Sequence, residues 1–197
     1  NITMNLTATD DPEEIYIRHF ADSLAVKSAL SYLPQRVIDV GCGAGFPGLP
    51  LKILADDVFE GGMALTLLDS TAKKTGFLKE LCSRLSLKNV CVITERAEAL
   101  AHDKNHREKY DLAVSRAVAN LGVLAELCIP YVRVGGLFAP HKSQKAFDEI
   151  INAKQACAEL GAELIETVPY VLGENRAQML IPVIKKNKST SAQYPRL

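Results

Sequence analysis

"VIDVGCGAGFPG", residues 37–48, decides the reading of the whole chain. Val37, Ile38 and Val40 form a short apolar run of the kind that becomes a buried strand, and "PGLPLKILA" (47–55) carries the apolar spacing of a helix. Between them, Gly41, Gly43 and Gly45 alternate with other residues. A glycine loop that follows a strand and opens a helix is the setting in which a nucleotide-like ligand is held. Spacing separates the ligand classes. A phosphate-cleaving loop ends in Gly-Lys-Ser/Thr, and this one does not. A dinucleotide loop is spaced GxGxxG and needs a bare helix amino terminus for its pyrophosphate. Here the spacing is GxGxG, Asp39 stands two places before the first glycine, and Pro47 and Pro50 break the helix entry.

S-adenosylmethionine carries an ammonium and a sulfonium and no phosphate, so an acidic neighbour is an asset to its loop. "DVGCGAG" (39–45) fits the DxGxGxG pattern of class I methyltransferases at every position. Asp69 closes the next apolar run, "MALTLLD" (63–69), where an acid can grip ribose hydroxyls. It lies somewhat further beyond Gly41 than the usual ~20 residues, an excess that the polar "DDVFEGG" (56–62) accounts for. "RAEAL" (96–100) follows a third run and puts Ala97 and Glu98 where they would flank an adenine. A methyl-donor site is the expectation; a nicotinamide dehydrogenase is the alternative that the spacing and Asp39 disfavour.

Outward from the loop, apolar runs alternate with amphipathic ones. Strands are expected at 36–41, 63–69, 89–94, 110–116, 134–142, 163–172 and 177–186, with helices at 11–30, 47–55, 73–87, 120–132 and 144–160. Asp11 caps the first helix, Pro12 suits its first turn, and Ser70 or Thr71 can cap the third. Such alternation predicts an α/β Rossmann-like fold. Its seven-stranded, mostly parallel sheet is covered by helices on both faces and ends in an antiparallel hairpin turned at Gly173. One domain over 1–197 is expected, with a helical segment at 1–32 and a basic tail at 185–197 carrying Lys185, Lys186, Lys188 and Arg196.

Net charge is zero, so composition argues neither for nor against nucleic acid. Five cysteines without CxxC or His/Cys metal spacing read as buried reduced thiols, which predicts no metal and a cytoplasmic protein. No apolar run is long enough for a membrane helix, and the start is no signal peptide. A missing initiator Met suggests that the sequence begins inside a longer chain.

"NLTATDDPEEIYIRHFADSL", "VIDVGCGAGFPGLPLKI", "LLDS", "RAE", "YDLAVSRAVANL" and "VGGLFAPHK" together resemble the GidB/RsmG family of bacterial small-subunit rRNA methyltransferases over nearly the whole chain. The resemblance implies methyl transfer from S-adenosylmethionine to N7 of a guanine in 16S rRNA, leaving S-adenosylhomocysteine, with 16S rRNA or the 30S subunit as partner and no membrane. A monomer is expected. Carried over, the donor-binding positions are Gly41, Gly43, Phe46, Asp69, Ser70, Thr71, Ala97, Glu98 and Arg116.

Arg116 is also the expected catalytic residue, because it emerges at the carboxyl end of a strand, where open α/β sheets place their ligands. A structural ion pair is its alternative role. His19 and Asp22 lie three apart on the first helix and share a face; with Arg18 they either cover the site, contact RNA or form a local helix pair. Lys142, Lys186 and Lys188 are candidate phosphate contacts with Arg18 and His19. His102, His106 and His141 show no partner pattern and are expected in solvent. A methyltransferase acting on a small molecule or a protein is the competing function.

Overall fold

A computed structural model describes residues 9–58, 62–173 and 177–196. Its centre is a sheet of β1 (Arg36–Val40), β2 (Ala64–Asp69), β3 (Val90–Thr94), β4 (Tyr110–Val114), β5 (Val132–Phe138), β6 (Lys142–Ser143), β7 (Ala162–Leu172) and β8 (Ala177–Lys186). Strands run in the order β3-β2-β1-β4-β5-β8, with β7 on the outer side of β8. β1 to β5 are mutually parallel, and β8 is antiparallel to both β5 and β7. The strand beyond the seven expected is the two-residue β6, whose Lys142 falls within the single strand expected over 134–142. Lys142 and Ser143 pair with Leu180 and Met179 instead.

The glycine-loop strand is buried on both faces, which explains why Val37, Ile38 and Val40 are all apolar although their side chains alternate in direction. Val37 packs with Leu51 of α3 (Gly48–Val58) and Leu78 of α4 (Ala72–Arg84). Its neighbour Ile38 points the other way, into a cluster with Leu124 and Cys128 of α6 (Leu121–Cys128) and Cys157. Two cores therefore sandwich one sheet. β7 covers only one flank of β8 and stays half exposed along its length.

Several helix expectations are corrected. Residues 11–30 do not form one helix: α1 (Pro12–Ile15) passes into a π-helix (Tyr16–Ala21), then α2 (Asp22–Leu24), then a 3-10 turn (Ala25–Ala29). Asp11 does cap the start, accepting from Glu13 N–H at 2.9 Å. Further along, the Ser23 hydroxyl bonds to the His19 carbonyl and competes with the regular backbone ladder. "RAEAL" holds a short α5 (Ala97–Leu100), a helix absent from those expected. The expected 120–132 helix stops at Cys128, because Pro130 has no N–H to continue it; a 3-10 turn leads into β5. Residues 144–160 split into a 3-10 turn, α7 (Phe147–Asn152) and α8 (Lys154–Glu159). Four cysteines are buried, but Cys91 is exposed on the edge strand β3.

The basic tail is corrected too. Lys186 is 1% exposed, and its ammonium donates to the Ile129 carbonyl at 3.1 Å and pairs with Glu108 at 2.8 Å. Arg107 donates to the carbonyls of Ala101, Thr190, Ser191 and Tyr194, tying the tail to the body. Arg196 makes a bidentate pair with Glu126. Among the described residues, no helix is long and apolar enough to cross a membrane.

Candidate active site

Where β1, β2 and β4 end, their following loops enclose a cleft of about 460 Å³. That volume suits a nucleoside-sized ligand. The glycine loop is held against β2: Gly41 and Cys42 N–H both donate to the Leu68 carbonyl, at 2.8 and 3.1 Å. Gly43 N–H donates to Asp69 Oδ2 at 3.0 Å, and Thr71 N–H to Asp69 Oδ1 at 2.9 Å. Asp69 thus joins the two loops that form the cleft floor. Each of its oxygens keeps a lone pair for a further donor.

Gly43 has φ +55°, and a Cβ built on it meets nothing within 4 Å. The backbone there borders open space that a ligand can approach closely. Beyond β4, Ala117 takes a left-handed φ of 56°, a conformation that non-glycine residues rarely adopt. Arg116, Ala117 and Val118 form the opposite wall.

Gly41, Gly43, Asp69, Ser70, Thr71, Ala97, Glu98 and Arg116 all line this cleft. Glu98 sits on α5, next to Arg96, whose guanidinium is 2.7 Å away. Burial would raise the Glu98 carboxyl, but its own backbone N–H and Arg96 outweigh it and hold the group below its usual range. Lys74, Glu95, Arg96 and Val118 also line the cleft and escaped the sequence reading. Nothing in the sequence sets Lys74 apart from its neighbours Lys73 and Lys79; its 3.8 Å approach to Asp69 does.

Three expected residues sit elsewhere. Phe46 is not a cleft residue; its ring stacks on His19 at 5.1 Å, meets Phe20 edge-on at 5.2 Å, and lies 5.4 Å from the Arg116 guanidinium. Asp39 does not face the cleft either. Its Oδ2 accepts from Gly48 N–H at 2.8 Å at the start of α3, and Oδ1 is buried without a partner among the described residues. Burial pushes this carboxyl up to about 7, against the opposing pull of the Gly48 N–H and Arg116. Lys142 donates to the Ala119 carbonyl and to Glu149, both at 2.6 Å, and is only 11% exposed, so it faces inward rather than toward phosphate.

Arg116 joins the cleft to the amino-terminal segment. Nη1 donates to Asp22 Oδ2 at 2.9 Å and to the Arg18 carbonyl at 2.8 Å, and Nη2 approaches His19 Nδ1 at 3.0 Å. A guanidinium only donates, so His19 Nδ1 accepts and the ring is neutral with its proton on Nε2. Partial burial and the Arg116 charge push the His19 pKa down in agreement. His19 Nδ1 is therefore taken by Arg116. His141, expected in solvent, is buried and donates from Nε2 to the Asp22 carbonyl at 2.9 Å. His102 reaches the Pro195 carbonyl, and His106 the Tyr110 hydroxyl. Arg18, beside Glu14, and Lys188 remain exposed.

This sheet order and a ligand cleft at the strand ends make the protein a class I methyltransferase by fold. Solved structures agree. StiE O-MT superposes with a TM-score of 0.66 over 93% of this chain and 80% of that one, at 15% identity. M. jannaschii TYW2, solved in complex with AdoMet, gives 0.61 over 84% and 76%, at 14% identity.

At the sequence level the match is narrower. A family model described as rRNA small subunit methyltransferase G covers residues 1–179. Curated relatives named Ribosomal RNA small subunit methyltransferase G are 44% identical in Alkaliphilus oremlandii and 41% in Clostridium botulinum; each match spans 100% of this chain and 80% of the relative. The chain belongs to the rRNA small subunit methyltransferase G family.

Proposed function

We propose that the chain transfers the methyl group of S-adenosylmethionine to N7 of a guanine in 16S rRNA, releasing S-adenosylhomocysteine. One observation carries this reading: in a chain of this family, the glycine loop, Asp69, the start of α5 and Arg116 converge on a single cleft. The residues fit the donor. Open space over Gly43 accepts a closely approaching ligand, and Asp69 retains acceptor capacity for two ribose hydroxyls. Ala97 and Glu98 border the place for the adenine. Arg116 holds unused N–H donors for the donor carboxylate or the guanine edge.

Bound, the donor supplies an electrophilic methyl on a sulfonium. Guanine N7 is a lone-pair nucleophile that is unprotonated at neutral pH, so the protein has no proton to remove. What this chain contributes is alignment, which can be worth about 7–11 kcal/mol. Exposed Arg18 and Lys188 are the cations offered to RNA phosphates. A substrate in the small ribosomal subunit sets the enzyme to work in the cytoplasm, and a cleft built from one chain lets it act as a monomer.

The test supplies labelled donor with deproteinised 16S rRNA and with 30S particles, then maps N7-methylguanosine. Modification of a single guanine in either substrate is expected. A folded protein that binds S-adenosylhomocysteine but methylates only a small molecule or a protein overturns the reading.

A further inference from the structure

Two elements far from the glycine loop in sequence meet at one carboxylate. Asp22, at the end of the π-helix Tyr16–Ala21, is 3% exposed. Its Oδ2 accepts from Arg116 at 2.9 Å, its Oδ1 accepts from the Tyr170 hydroxyl of β7 at 2.5 Å, and its carbonyl accepts from His141. The same guanidinium also donates to the Arg18 carbonyl and to His19 Nδ1, and lies 5.4 Å from the Phe46 ring. Of the five N–H donors of Arg116, three are spent on Arg18, Asp22 and His19, which leaves two for the cleft that the same residue lines.

We propose that Asp22, braced by Tyr170, is a positioning residue for methyl transfer: it fixes the Arg116 guanidinium so that its two remaining donors point at the reacting groups. This rests on the reading of Arg116 as a residue that touches ligand. A buried ion pair is by itself a weak stabiliser, often no better than an apolar pair of the same size. Its value here is directional. An unrestrained arginine samples many rotamers, whereas here the Asp22 carboxylate and the Phe46 face, 5.4 Å away, hold one and the same placement of the guanidinium. The π-helix supports the same role. It is a rare conformation found mostly at functional sites, and here it brings His19 and Asp22 onto one guanidinium. The hydroxyl of Tyr170 completes the arrangement by holding the second carboxylate oxygen, so that Asp22 cannot rotate away from Arg116.

The experiment uses the full chain with Asp22→Asn, Tyr170→Phe, Arg116→Ala and the two double variants that include Arg116→Ala. For each, turnover on 30S particles or rRNA is measured with radiolabelled donor, together with KM for RNA. Affinity and stoichiometry for S-adenosylhomocysteine report the folded, donor-competent fraction. Asp22→Asn should cut kcat by about tenfold, and Tyr170→Phe by a few-fold, with little change in donor affinity. Neither change should slow the Arg116→Ala enzyme further, because a residue that acts through Arg116 has nothing left to position. Wild-type kcat in folded Asp22→Asn, or an undiminished effect in the Arg116→Ala background, overturns the proposal. Should Asp22→Asn fail to fold, Tyr170→Phe decides by the same two criteria. Full turnover by Arg116→Ala is a different result: it removes Arg116 from the transfer site, and the underlying reading with it.

Discussion

Val118 occupies the space that Gly41 leaves empty: a Cβ on Gly41 would stand 2.5 Å from Val118 Cγ2. The first glycine of the loop therefore makes room for a protein wall, while Gly43 borders the open space of the cleft. Gly41 also has φ +72°, which costs an ordinary residue roughly 1–2 kcal/mol. Gly41→Ala should lower stability by about that amount and displace Val118 into the cleft, weakening S-adenosylhomocysteine. Adding Val118→Ala should restore much of the affinity but not the backbone cost. Calorimetric titration and urea unfolding of the single and double variants separate the two effects; an Ala at 41 that changes neither would dissolve this account of the loop.

Asp69 accepts the Gly43 and Thr71 N–H groups and has capacity left for a ligand. Asp69→Ala should weaken donor binding by roughly 1.5–3 kcal/mol for one lost charged hydrogen bond, with further loss if the two loops separate. Asp69→Asn keeps one acceptor oxygen and should fall between wild type and Ala. Titration with S-adenosylhomocysteine checks the ranking, and equal affinities would return Asp69 to a purely structural part.

The sheet, the glycine loop and the strand-end positions were legible because they follow local rules: apolar runs, alternating glycines, an acid closing a strand. Cleft residues Asp69 and Ala97 follow from their places after apolar runs for that reason, whereas Arg116 rests on the family resemblance and its place at a strand end. What could not be read was pairing across the fold. Lys142 and Lys186 look like surface lysines in the sequence, yet Glu149 and Glu108, distant or on other elements, draw them inward. Asp39 looks like a donor contact, and only the turn of the backbone through Pro47 shows that its partner is Gly48. The π-helix carries no periodic signature, since it depends on Asp22 and His19 finding Arg116 some ninety residues on.

Lys186 and Lys188 should behave as opposites. Removing the buried Lys186 in Lys186→Ala strands Glu108, at a cost on the order of 3 kcal/mol. Burial tends to raise the Glu108 carboxyl, but Lys186, the Thr190 N–H and the Ser189 hydroxyl hold it below its usual range. Its contribution is therefore present above about pH 4.3, the unfolded value, and is lost as pH falls through the lower folded value. Lys188→Glu, at an exposed site, should leave stability alone. If Lys188 contacts phosphate, the log–log salt slope for single-stranded RNA should flatten by about 0.7. Urea midpoints and salt titrations of both variants test this; a Lys186 variant of native stability would contradict the buried pair.

Asp39 gives the last expectation, and its sign runs the other way. Burial holds its carboxyl at about 7, whereas the unfolded chain releases that proton near the ordinary value of about 3.9. Between those limits the folded state keeps a proton that the unfolded state has lost, so this group makes stability fall as pH rises from about 4 toward 7. Each pKa unit is worth about 1.4 kcal/mol, and the value of about 7 already includes the opposing pull of the Gly48 N–H, so the effect is measurable. Asp39→Asn cannot ionise, and its carbonyl can still accept from Gly48. It should start less stable at low pH, because its buried amide gains unsatisfied donors, yet lose less on going to pH 8. Urea unfolding of the ligand-free proteins at pH 5 and pH 8 measures both slopes. Parallel slopes for wild type and Asp39→Asn would mean that the carboxylate is ionised throughout and that its buried Oδ1 is satisfied in solution.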